Sequence, residues 1–227
     1  MEKAYAKYYG NYGMLQYGSV HLALHNLTGA ESESVSIGQA TRGANRRMMW
    51  KNLLKYKMNG YLMGCGSVTA DVADKEVQES GLVFGATYTI YEVREIDGHC
   101  LIKLRNPPGD HGEWKGDWGD ASPTWTRRLK KILGWVEEED GCFWISWDDF
   151  CLSFQYIYIA KYYDPRKWKK WEFDGWWRDK TAAGLPGKHN PKCVIENNPQ
   201  YSLQVIRPTD FCFHLRQVEL GECGLRS

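Results

Sequence analysis

The sequence contains no Cys-x-x-Cys, no apolar run near the ~18 residues that a membrane-crossing helix needs, no internal repeat and no low-complexity tract. Each absence removes a class of protein. Without paired cysteine motifs neither a zinc ribbon nor a disulfide framework is indicated, and the seven Cys, at 65, 100, 142, 151, 193, 212 and 223, are scattered and odd in number. They read as reduced intracellular thiols. The opening Met1-Glu-Lys-Ala-Tyr-Ala-Lys-Tyr-Tyr-Gly10 carries charge where a signal peptide has its apolar core. A cytoplasmic chain without an integral membrane segment is expected. Excess charge is missing as well. With 29 Lys+Arg against 28 Asp+Glu the net is +1, which removes any global electrostatic case for a nucleic-acid partner.

What is present in surplus is aromatic. Eleven Trp and 14 Tyr stand beside only eight Pro, and all the Trp except Trp50 lie at or after Trp114. Indole buries a large apolar surface and keeps one N–H donor, so it suits small sheets that need bulky filler and equally suits stacking on sugars or bases. Composition does not choose between these. A 43% hydrophobic and 25% charged make-up is that of a folded globular chain, and 227 residues suffice for one large domain, or for one domain and part of another.

Residues 1–44, rich in Gly, Ser and Thr, read as loops around short elements, with a helical opening at 2–9 that stops at Gly10. In 45–60, Asn45 is a plausible N-cap, Met49, Trp50, Leu53, Leu54 and Met58 follow helical spacing, and Gly60 suits a stop. That pattern predicts an amphipathic helix covering a sheet. Strands are expected at 61–67, 81–94 and 99–105, the last two joined through Asp97-Gly98 as an antiparallel hairpin. An acidic, Gly-rich loop follows over 106–120, then a helix at 126–136, an acidic loop passing into strand at 137–147, and a strand at 154–160. Beyond the basic stretch 161–170, further strands are expected over 171–220, with a domain boundary near residue 160.

The hairpin brings position 86 close to positions 106–109, and Asn106 ends the return strand. In a Cys-His-Asn protease the Asn orients an imidazole that takes the proton of the Cys thiol. Position 86 is Ala86, which has no proton to exchange. His99 sits by the hairpin turn, roughly 23 Å from Asn106 at ~3.3 Å per residue, so it is no substitute. His111, just past Asn106, is the remaining stand-in, and a solvated loop His is the plainer reading. Cys65 reads as a small buried hydrophobe. Lys161, Arg166, Lys167, Lys169 and Lys170, interleaved with Trp168 and Trp171, would suit single-stranded nucleic acid or anionic lipid. Asp164, Glu172, Asp174 and Asp179 offset that charge, which favours a solvated linker.

Ordered segments across most of the chain carry a resemblance: Glu2-Lys-Ala-Tyr-Ala-Lys7, Leu62-Met-Gly-Cys65, Gly81-Leu-Val-Phe-Gly-Ala-Thr-Tyr-Thr-Ile90, Arg105-Asn-Pro107, Glu113-Trp-Lys-Gly-Asp-Trp118, Asp140-Gly-Cys-Phe-Trp-Ile-Ser-Trp-Asp-Asp-Phe150, Thr181-Ala-Ala-Gly184 and Asn198-Pro-Gln-Tyr201. Together they resemble the calpain-type, papain-like cysteine proteases. The resemblance implies an α+β fold. Residues 1–155 correspond to the second half of the protease core, a mostly antiparallel sheet with a covering helix, and 156–227 to the first part of a C2-like β-sandwich, truncated.

It also shows what does not match. Nothing here corresponds to the half that carries the nucleophilic Cys, which is expected upstream in the full gene; the catalytic His position is Ala86; and the Trp that shields the site in the family is Pro108. Asn106 is the one triad position retained. Two loops that bind calcium in the family correspond to Glu113 and Asp120, and to Asp140, while a further carboxylate position is Cys142. Calcium takes six to eight oxygens, so the implied site is weakened. The reading is a truncated calpain-like peptidase inactive by itself, of a calcium-regulated intracellular family acting on protein substrates. Two alternatives are a non-catalytic calcium-responsive interaction module and a Trp-rich carbohydrate-binding sandwich. The last requires exposed coplanar Trp, whereas the family reading places Trp114, Trp118, Trp144 and Trp147 between loops and sheet.

Overall fold

The alternation in Thr87–Ile96 puts Tyr88 and Ile90 on one face, and after a bulge at Tyr91 the phase shifts so that Val93 joins them. Asp97 (φ 51°) and Gly98 (φ 81°) form the two-residue turn, both in the left-handed region that a tight hairpin requires. This hairpin is the centre of the fold. The structure is a computed structural model and describes residues 1–15, 18–71, 73, 75, 79–106, 113–138, 140–185 and 187–215.

Two compact units divide at Tyr163/Asp164. In the first, the elements are α1 (Glu2–Tyr9), α2 (Val20–Thr28), β1 (Glu31–Ser36), α3 (Ile37–Ala40), α4 (Asn45–Met58), β2 (Leu62–Ser67), β3 (Thr87–Ile96), β4 (His99–Arg105), α5 (Arg127–Leu133), β5 (Cys142–Ser146), α6 (Trp147–Ser153) and β6 (Phe154–Lys161). The strands form one six-stranded antiparallel sheet in the order β1-β6-β2-β3-β4-β5. The arrangement is α+β, as the sequence implied. The strand through residue 155 is part of this sheet.

The main core lies on one sheet face, where α4 contributes Met49, Trp50 and Leu53 and α6 contributes Trp147 and Phe150. Aromatic rings bind the layers. Trp147 stacks on Phe150 at 5.5 Å and Phe150 on Phe154 at 4.6 Å, while Tyr88 meets Phe143 and Phe154 edge-on. Phe150 is fully buried, and truncating such a ring to Ala typically costs about 3–5 kcal/mol. On the opposite face Leu101, Trp118, Trp125, Leu129 and Trp144 form a second cluster.

Several local expectations are corrected. Helix α4 begins at Asn45, preceded by Ala44 with no capping side chain, and Met58 is exposed rather than packed. The predicted 81–94 strand starts only at Thr87, because Gly81 (φ 87°) and Gly85 (φ 64°) turn the chain first. Within 1–44 a helix, α2, and an edge strand, β1, appear. Glu-Ser-Glu-Ser-Val-Ser lacks apolar alternation, and β1 is held instead by its backbone ladder to β6 and by the Glu33–Lys161 ion pair at 2.9 Å. Helix α5 is capped by Thr126, whose Oγ1 accepts from the Leu129 N–H, and ends at Gly134 in the left-handed region. Ser146 caps α6 through the Asp149 N–H, and Asp148 pairs with Arg46.

The second unit begins at Asp164. Among its described residues there are two short 3-10 turns, Asp179–Thr181 and Ile195–Asn197, and an isolated bridge between Gly187 and Asn190. The strands expected over 171–220 do not form there, and Trp171, Phe173, Trp176 and Trp177 stay exposed. An aromatic alternation makes a stable strand only with a sheet to bury against. Asn198 accepts from the Gly184 N–H and donates to the Gly184 carbonyl, joining the two family-like segments of this region, and Phe173 packs on Tyr201 at 5.9 Å between ring centroids.

One glycine is indispensable. A Cβ at Gly81 would stand 2.4 Å from the carbonyl oxygen of Glu113, at a φ that side chains rarely adopt. Gly81→Ala is expected to lose about 2 kcal/mol or more of stability in urea unfolding, through strain and displacement of the 113–120 loop; an unchanged midpoint would contradict that packing.

Candidate active site

β2, β4, β3, β5 and β6 bring their ends together on one side of the sheet: Ser67, Asn106, Ala86, Cys142 and Ser153 all flank that end. Asn106 directly follows β4, is buried, and donates its backbone N–H to the Gly141 carbonyl at 2.8 Å. The register Thr89↔Arg105 continues to place Asn106 opposite Tyr88. Ala86 lies two residues before Tyr88, on the same face and diagonal to Asn106. Diagonal neighbours sit about 7 Å apart, within reach of an imidazole but not of a methyl group.

The Ala86 backbone is fixed by a residue that sequence reading missed. Ser67 Oγ accepts from the Ala86 N–H at 3.0 Å and donates towards the Val83 and Ala86 carbonyls, while the Ser67 N–H donates to the Ala86 carbonyl at 2.9 Å. The only sequence signal was a polar residue closing an apolar strand. Ser153 adds a buried hydroxyl whose oxygen has no hydrogen-bond partner among the described residues.

No thiol of this unit is poised as a nucleophile. Burial raises Cys65 well above the ordinary thiol range, and raises Cys100 as well. Cys142 is pushed up to about 11 by burial and by the adjacent Asp140 carboxylate, and Cys151 up to about 12 by burial. A nucleophilic cysteine needs the opposite shift. His99 pairs with Ile96 at the hairpin turn and packs on Trp118 at 4.8 Å between ring centroids, far from Asn106 along the strand. Pro108 and His111 lie outside the described residues.

The acidic loops do converge. Glu113 Oε1 accepts from the Gly141 N–H at 2.7 Å, which ties the first loop to the second, and Asp140 Oδ1 accepts from the Cys142 N–H at 2.8 Å. Asp120 is pushed up to about 6, first by burial and then by the Glu113 carboxylate, with Asp140 adding a smaller push; the Glu138 N–H and Lys103 act against these. A cation would relieve this repulsion, but among the described residues no three Asp, Glu, His or Cys form a metal-holding group. The charge fits calcium; the oxygens do not close around one in this arrangement.

In the first unit the Trp lie where the family reading puts them, while Trp171, Trp176 and Trp177 of the second unit are exposed. Trp118, Trp144 and Trp147 are buried and Trp114 is half-buried, its Nε1 donating to the Asp117 carbonyl at 2.8 Å. None of the three buried rings presents a stacking face for a sugar.

Residues 1–161 match the sequence model of the calpain family cysteine protease. The chain belongs to that family. The calpain-type cysteine protease DEK1 of Zea mays is 39% identical over 208 residues, covering 90% of this chain and 9% of the maize protein. Calpain-14 of Homo sapiens is 32% identical over 223 residues, covering 92% of this chain and 31% of the human one. The chain thus spans less than a third of the length of either relative. Other calpains, such as Calpain clp-1 of Caenorhabditis elegans at 32% identity, align over a similar share of it.

Asp120 gives a pH-dependent prediction. Its folded pKa lies above the unfolded value of 3.8, so the folded state takes up the proton first, and the group opposes folding fully above about pH 6 and not at all below about 3.8. Asp120→Asn should therefore stabilise the protein at pH 7.5 by about 1 kcal/mol after allowance for solvent screening, and the gain should vanish towards pH 4. Urea unfolding at both values reads this; an equal effect at both would exclude ionisation as the cause.

Proposed function

We propose that this chain is the Asn-bearing half of a calpain-type cysteine protease and hydrolyses no peptide by itself. The observation that carries the reading is Ala86: it occupies the place diagonal to Asn106 where the family pattern has its imidazole. In this reading Asn106 is the retained triad position and would orient the base if one were present. The nucleophilic half comes from elsewhere, upstream in the same gene or in another chain, and the activity of such an assembly is calcium-regulated cleavage of internal peptide bonds in protein substrates. Removing triad members leaves at most residual catalysis. The setting is cytoplasmic, in keeping with cysteines that are free at all six described positions. No helix among the described residues is long and apolar enough to cross a membrane. The chain is expected to show no turnover of a fluorogenic peptide with or without calcium; turnover blocked by a thiol reagent would overturn the reading.

A second reading, a non-catalytic calcium-responsive interaction module, is favoured by the repulsion focused on Asp120. Here Glu113, Asp120 and Asp140 hold a weakened calcium site, supplemented by backbone carbonyls and water. Isothermal calorimetry with calcium is expected to give weak binding that Asp120→Asn reduces at least tenfold. No heat, or heat unchanged in the variant, would remove calcium from these loops.

A further inference from the structure

The stretch 34–70 holds no Asp or Glu, yet carries Arg42, Arg46, Arg47, Lys51, Lys55 and Lys57. All but Arg42 are on α4. Arg46 is neutralised by Asp148 and Lys57 by Glu92. Arg47, Lys51 and Lys55 are not: spaced i, i+4, i+8, they run as one exposed stripe about 12 Å long opposite the buried Met49, Trp50 and Leu53. With Arg42 they make no ion pair among the described residues.

This stripe works against its own helix. Like charges at i, i+4 repel, Arg47 in the first turn opposes the helix dipole, and α4 has neither an acid in that turn nor a capping side chain. The cations therefore do not serve the fold. Met48 and Met58, 61% and 86% exposed, flank the stripe. Trp50, the Trp of α4, is buried and donates its Nε1 to Glu95 at 2.9 Å, so it offers bases no stacking face. At the N-terminal end of the stripe a cavity of about 250 Å³ lies among Arg47, Trp50, Lys51, Glu95 and Cys100.

We propose that the outward face of α4 docks this protein on an anionic lipid bilayer, with Arg42, Arg47, Lys51 and Lys55 against headgroups and Met48 and Met58 in the headgroup–acyl boundary. Basic residues near a membrane surface attract anionic lipid, each adding about 1 kcal/mol to the partition. The headgroup–acyl boundary would cover both methionines; an acidic protein segment is the competing occupant that the test below excludes. The face is remote from the candidate site. α4 lies against β3 between the Tyr91 bulge and the hairpin turn, contacting the Tyr91 carbonyl through Lys57 and Glu95 through Trp50, whereas Ala86 and Asn106 flank the other end of the hairpin.

The test uses the 227-residue chain with vesicles of phosphatidylcholine alone and with about one-third phosphatidylserine. Co-sedimentation is expected only with the anionic vesicles and is expected to weaken with added salt. The triple variant Arg47→Ala, Lys51→Ala, Lys55→Ala should bind about 100-fold more weakly. Lys51→Glu alone should also bind more weakly while raising Tm, since it converts two repulsive i, i+4 pairs into attractive ones; a merely structural role would move binding and Tm in the same direction. Equal binding to neutral vesicles, no binding at all, unchanged binding in both variants, or loss on Lys167→Ala, Lys169→Ala instead would overturn the proposal. So would binding to an acidic polypeptide without binding to anionic vesicles.

Discussion

The pairing of β3 with β4 is the constraint on which the rest depends. The Asp97-Gly98 turn fixes where the ladder begins, and the single bulge at Tyr91 fixes how the two strands remain in phase beyond it. A slip of one residue would turn Tyr88, Ile90, Ile102 and Leu104 out of the core, because side chains alternate with period two. The same register places Ala86 diagonal to Asn106. Core packing and site geometry are thus consequences of one hydrogen-bonded ladder, and the bulge also leaves the Tyr91 carbonyl free to accept from Lys57 of α4.

At the site end of the sheet the backbone around Ala86 is held by Ser67, and Asn106 is buried at the end of its strand. Meanwhile every thiol of this unit with a resolved shift is driven away from the thiolate form by burial. In the acidic loops Glu113 and Asp140 accept from backbone N–H groups of the 140–142 turn, and Asp120 lies among carboxylates that oppose its ionisation.

Elements with a strong local code were legible in advance. The hairpin turn, the α4 apolar positions Met49, Trp50 and Leu53, and the strand at Phe154–Lys161 all follow from periodicity and turn chemistry. β1 was not legible, because its stability comes from a neighbour 120 or more residues away along the chain rather than from its own pattern. The start of β3 was overestimated because Gly81 and Gly85 lie in an apolar run whose hydrophobicity masks their positive φ. In the second unit the expected strands are not seen among the described residues, and with no sheet to cover them Trp171, Phe173, Trp176 and Trp177 remain exposed.

The sequence by itself determined the family, the α+β class, the absence of an imidazole at position 86 and the identity of the three loop carboxylates, since these are properties of residue order. Only the tertiary structure decided that Ser67 locks Ala86, that Glu113 accepts from the Gly141 N–H, that burial and Glu113 push Asp120 up to about 6, and that three cations of α4 face outward with no ion pair among the described residues. These depend on which groups burial and sheet register bring within a few ångströms of one another, and that proximity joins residues too far apart in the chain for any local pattern to record.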